Sequence, residues 1–79
     1  MRLDKYLKVS RLIKRRTVAN DACDHDRITV NGKEAKASYQ VKQGDVIEIA
    51  FGNRNLKVEV LGISENAGKG EAASLYREL

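Results

Sequence analysis

The spacing of apolar positions along this chain changes once, near residue 27. Before that point the spacing is helical. At about 100° per residue, Leu3, Tyr6, Leu7 and Ser10 share one side of a helix, with Arg2, Lys5 and Lys8 roughly opposite. Thr17 is a good N-cap residue, and Val18, Ala19, Ala22 and Cys23 then recur at i, i+3 and i+4. This predicts a second helix with small inward residues that allow close helix–helix approach. It should end near His25 and Asp26, an aspartate tolerating a left-handed stop better than most residues. Between the two helices, RLIKRR reads as a basic connector anchored in the core by Leu12 and Ile13.

After residue 27 the period is two. Residues 27–30 alternate and carry β-branched side chains. Asn31-Gly32 follows, the strongest short hairpin signal, because both central residues of the tight turn need positive φ. A return strand is expected over residues 33–37, a turn at Gln43-Gly44-Asp45, and a strand in VIEIAF. A turn over residues 52–55 leads to LKVEVLGI, with Leu56, Val58 and Val60 on one face and Lys57, Glu59 and Leu61 on the other. Residues 64–70 read as a loop. EAASLYREL is expected to form a closing helix, with Leu75 and Leu79 four apart.

Two helices followed by about four antiparallel strands and a short C-terminal helix predict an α+β domain, with the N-terminal helices packed on a small sheet. At 79 residues this is one domain, and its core is small. Residues 1–51 hold the motifs; residues 52–79 add a strand hairpin and a tail. A single cysteine, Cys23, rules out an internal disulfide framework and fits a reducing cytoplasm. No apolar run approaches the roughly 20 residues that span a bilayer. No apolar segment follows the basic N-terminus, so a signal peptide is not expected.

The charge is unevenly placed. The net charge is +4, but residues 1–16 carry seven cations against Asp4, a net +6. Residues 17–79 carry eight basic and ten acidic residues, a net −2. Segregation of this kind points to a polyanion. Arg2, Arg11, Arg15 and Arg16 bring guanidinium forks suited to phosphate. One Phe, three Tyr and no Trp give little surface for stacking bases, which favours folded RNA read by shape and phosphate over single strands. Chemistry has no comparable support. Cys23 and His25 stand two apart on one helix and do not face each other. Asp21, Asp24 and Asp26 diverge around that helix and read as a solvated face, while Gly32, Gly44 and Gly52 are all explained by turns. No enzyme, metal or cofactor is expected.

RLDKYL, SRLIKRR with the threonine after it, RITVNGKEAK and VKQGDVIEI, in this order and spacing, resemble the ribosomal-protein-S4-like RNA-binding domain from Met1 to about Phe51. The chain departs from the family at Asp26, where Gly commonly precedes the first strand. The resemblance implies two packed helices that bind structured RNA above a small antiparallel sheet. On that basis Arg2, Lys5, Lys8, Arg11, Lys14, Arg15 and Arg16 are the expected RNA contacts. Thr17 either caps its helix or donates a hydroxyl to RNA. Asp4 is expected to orient a neighbouring arginine such as Arg2, and Lys33 and Lys36 to be solvated or to extend the patch. The family includes a heat-shock ribosome-associated type with a long basic extension and a short type that acts in ribosome quality control. The tail NAGKGEAASLY is similar to the short type. That likeness implies a cytoplasmic monomer away from membranes, bound to large-subunit rRNA and P-site peptidyl-tRNA. Its expected partner is an RqcH-type elongating factor that adds an alanine tail to the stalled chain. The alternatives are a heat-shock-type large-subunit binder, a protein-interaction module, a detached domain of an RNA-modifying enzyme, and a DNA binder.

Overall fold

The computed structural model describes residues 1–79 except residues 26, 52, 65–67 and 73, and omits the side chains of residues 51, 54 and 69. The expected turn at Gly52, the stop at Asp26 and the middle of the 64–70 loop lie outside the described residues.

Helix α1 spans Leu3–Val9. It buries Leu3, Tyr6 and Leu7 completely, and Ser10 almost so, the side that the spacing predicts. Its start is tied down by backbone bonds to a distant loop: Leu3 N–H donates to Tyr39 O at 2.7 Å, and Val41 N–H to Met1 O at 2.9 Å. It ends when Arg11 turns the chain with φ 62°. Ile13 then enters the core, and Leu12 packs half-buried against it.

Helix α2 spans Arg16–Asp24 and packs on α1. Its contact residues are small: Ala19 and Cys23 are fully buried and Ala22 half-buried. Two expectations are corrected here. Val18 points outward and is 50 % exposed, because its position rotates off the strip defined by Ala19 and Cys23. The N-cap position is Arg15, in extended conformation without a side-chain cap, so the helix begins before Thr17 and Thr17 sits in its first turn.

Five antiparallel strands follow in the order β2-β1-β3-β4-β5. Strands β1 (Ile28–Val30) and β2 (Lys33–Glu34) meet across Asn31 and Gly32, with φ of 54° and 83° as the tight turn requires. Strand β2 is shorter than residues 33–37, because Ala35 and Ala37 turn into the core. Asp45 ties this hairpin to the loop before β3. It is buried, and it accepts from Asn31 Nδ2 at 3.1 Å, Tyr39 Oη at 2.9 Å and the Lys42 N–H at 2.9 Å.

Strand β3 (Val46–Phe51) pairs along its length with β4 (Arg54–Val60), whose early start shortens the expected 52–55 turn. Ile28, Val30, Ile47, Ile49, Val58 and Val60 face the helices and close the core. The C-terminus differs from expectation. A four-residue helix α3 (Lys69–Ala72) straddles the end of the expected loop and the start of the expected closing helix, and β5 (Tyr76–Glu78) takes the place of that helix's C-terminal part. Leu75 is buried, but Leu79 is 57 % exposed. Strand pairing wins because a nine-residue helix is marginal alone, whereas β5 satisfies the open edge of β4. Leu75 O alone receives Leu61 N–H, Gly62 N–H and the buried Tyr6 hydroxyl.

Candidate nucleic-acid interface

The helix pair and its connector form the basic surface. Arg2 precedes α1 and Lys8 lies in its last turn, Arg11 and Lys14 lie on the connector, and Arg15, Arg16 and Thr17 open α2; all seven are exposed, and Lys5 is half-buried. Among the described residues, Lys8, Arg11, Lys14 and Arg15 have no carboxylate partner. Unpaired cations on a rigid frame keep their full charge for an external anion.

Asp4 organises two of the arginines. Its carboxylate is buried between the helices, and each oxygen meets one guanidinium: Oδ1 is 3.3 Å from Arg2 Nε, and Oδ2 is 3.4 Å from Arg16 Nε. Asn20 Nδ2 lies 3.4 Å from Oδ2, and the Lys5 N–H donates to Oδ1 at 2.8 Å. Burial works against the charged form of Asp4. The bonds from Asn20, the Lys5 backbone and Arg16 outweigh it and hold the carboxyl below its ordinary pKa. The arginines meet Asp4 through Nε, which leaves their terminal nitrogens for an outward partner. The expected pairing of Asp4 with Arg2 is therefore present, and Arg16 joins from the second helix.

Sequence reasoning missed Asn20. Its signal was the i, i+4 spacing from Arg16, which puts both on one side of α2. Asp4, Arg16, Thr17, Asn20 and Asp21 together line a hollow of about 340 Å³ beside the basic surface. Lys33 is exposed in β2, and Lys36 is exposed in the segment after it, next to Ala37, whose carbonyl accepts the Asp4 N–H at 3.2 Å.

The remaining reactive groups sit apart from this surface. Cys23 is buried; burial, with the charges of Asp4 and Asp24, pushes its thiol up to about 11, so it is a core group with little thiolate. His25 is exposed at the end of α2, its Nδ1 2.8 Å from Asp21 O. Asp21 and Asp24 are exposed, and no group of three potential metal ligands occurs among the described residues. Among them, no helix is long and apolar enough to cross a membrane.

Known proteins match this architecture closely. Residues 1–47 match the S4 domain family. A protein of Halalkalibacterium halodurans named RQC P-site tRNA stabilizing factor is 55 % identical over 96 % of this chain and 86 % of its own length. The protein of that name from Bacillus subtilis is 51 % identical over 96 % and 88 %. Vibrio cholerae heat shock protein 15, described as trimeric, superposes with a TM-score of 0.92 at 34 % identity, over all of this chain and 81 % of the other. The expected two-helix, antiparallel-sheet α+β fold is thus found both in the structure and in a solved relative, and the chain belongs to the S4 domain family.

Proposed function

We propose that this chain is a non-catalytic, cytoplasmic RNA-binding factor of bacterial ribosome-associated quality control. It binds the obstructed large subunit through rRNA and P-site peptidyl-tRNA, as a monomer. In this role it supports an RqcH-type partner that extends the stalled chain with alanine. The observation that carries the reading is the surface of α1, the connector and α2. There, Lys8, Arg11, Lys14 and Arg15, which have no carboxylate partner among the described residues, surround two arginines held by a single buried carboxylate. Such a surface suits the phosphates of a rigid RNA. The relatives at 51–55 % identity carry a name specifying P-site tRNA stabilisation, which favours this role over the heat-shock type, matched at 34 % in Vibrio cholerae. Mechanistically the protein needs no chemistry. By binding one state of the particle more tightly than others, it raises that state's population.

The test is to recover the tagged chain from cells at moderate salt and sequence the RNA it holds. Large-subunit rRNA with tRNA, enriched in alanine acceptors, is expected. Small-subunit RNA, unrelated transcripts or recovery without RNA would overturn the reading.

A further inference from the structure

Asp21 is out of place beside a phosphate-gripping surface. It lies on α2 one residue after Asn20 and four after Thr17, and with them, Asp4 and Arg16 it lines the hollow of about 340 Å³. That volume is within the roughly 300–1,000 Å³ of small-ligand sites. A carboxylate there repels a passing phosphate, so a surface built only for backbone would gain by losing it. A base edge behaves differently, because carboxylates accept hydrogen bonds from base N–H groups.

The other groups lining the hollow sharpen this. Asn20 directs its amide nitrogen to Asp4 at 3.4 Å, which leaves its amide oxygen as an acceptor. The Thr17 hydroxyl has no hydrogen-bond partner among the described residues, freed by the helix start at Arg16. Arg16 supplies a planar guanidinium on which a base can stack, or which can hold the adjoining phosphate. The Asp21 carboxylate, the Asn20 amide oxygen and the Thr17 hydroxyl therefore offer acceptors in the hollow. Among the four RNA bases, only guanine presents two adjacent donors, N1–H and the N2 amine, on its Watson–Crick edge. That edge matches the two oxygens of one carboxylate.

We propose that this hollow receives an unpaired guanine of the bound RNA, its N1–H and N2 amine on Asp21 and its neighbouring phosphate on Arg16. The assignment rests on the RNA-binding reading above and adds base selectivity to a surface otherwise blind to sequence. An unpaired base is required, since in a duplex that edge is engaged.

The test is fluorescence anisotropy of the full chain with stem-loop RNAs that share a stem and differ in one loop base: guanine, inosine, adenine or cytosine. Wild type is expected to bind the guanine loop about tenfold tighter than adenine or cytosine, with inosine between because it lacks the N2 amine. Asp21→Ala is expected to abolish the preference and weaken the guanine loop. Asp21→Asn, which keeps the side-chain shape, should lose the preference as well. Plain charge repulsion predicts the opposite sign, with Asp21→Ala tightening every loop. That result, or equal wild-type binding to all four loops, overturns the guanine site and leaves the RNA surface standing. Guanosine monophosphate alone binding as tightly as the guanine hairpin would overturn assignment to an RNA base and indicate a free nucleotide. Failure of wild type to bind any hairpin would overturn the RNA reading itself, and the guanine site with it.

Discussion

A single buried carboxylate decides how two arginines are presented. Arg16 is half-exposed, and its contact with Asp4 is long, so Arg16→Ala should lower stability by no more than about 1 kcal/mol. The same change removes a phosphate ligand, so RNA binding should fall while the unfolding midpoint barely moves. Asp4→Ala differs. It strips acceptors from Arg16, Asn20 and the Lys5 N–H inside the helix interface and should cost about 1–3 kcal/mol, besides weakening RNA binding. Urea melts and anisotropy on both variants check the contrast; equal stability losses would make Arg16 structural. Acid adds a second expectation. At Asp45 burial again opposes the charge, and the Lys42 N–H, Tyr39 hydroxyl and Asn31 amide outweigh it, so Asp45, like Asp4, sits below its ordinary pKa. A depressed folded value means that the unfolded chain takes up the proton first as pH falls. The contribution is complete well above the unfolded pKa, near 4, and is lost as pH drops through the folded values. Melting temperature should therefore hold between pH 7 and 5 and fall below about 4. Asp45→Asn should start lower at pH 7 and decline less steeply; parallel curves would show that Asp45 contributes nothing to acid sensitivity.

At the scale of elements, the connector holds a conflict between fold and function. Arg11 occupies the position just past α1 where helices usually place glycine, and its φ is 62°. The left-handed conformation costs a side chain about 1–2 kcal/mol, so Arg11→Gly should stabilise the domain by about 1 kcal/mol while weakening RNA binding. Thermal melts beside anisotropy would show the two effects diverging; a stabilised variant with unchanged affinity would remove Arg11 from the interface. This position also shows what is legible in sequence. The helical spacing of Leu3, Tyr6 and Leu7 and the Asn31-Gly32 turn were readable because local chemistry and burial agree there. Thr17 misled because this good capping residue is the second residue of a helix that already starts at Arg16. The C-terminus misled because Leu75 and Leu79 have helical spacing, whereas β4 offers an unsatisfied edge, a long-range fact that no local window contains. For the same reason the cations of the candidate site were visible as charge. Asn20 was not, since its part depends on α2 crossing over Asp4.

The whole molecule is a two-layer body whose layers differ in charge. The helix layer carries the excess cations. The open face of the sheet instead lines up Glu34, Thr29, Glu48 and Lys57 in one row across four strands, and Glu59 pairs with Arg77 at 2.6 Å. That face is nearly balanced, so an RNA should be gripped from one side. Salt dependence measures this directly, because each cation that neutralises a phosphate steepens the fall of log K with log salt by about 0.7–0.9. Lys14→Ala combined with Arg15→Ala should therefore make the slope shallower by about 1.4–1.8, with the fold intact because both are exposed. Lys57→Ala removes a charge from the open sheet face and should leave the slope unchanged. The pair Lys33→Ala and Lys36→Ala decides whether the hairpin extends the patch: no change in slope confines the interface to the helices, and a shift of about one or more adds the hairpin to it. If Lys57→Ala flattened the slope as much per charge as Lys14→Ala, attraction would follow overall charge alone. The one-sided grip would then be wrong, and so would the division of labour in which the sheet supports and the helices bind.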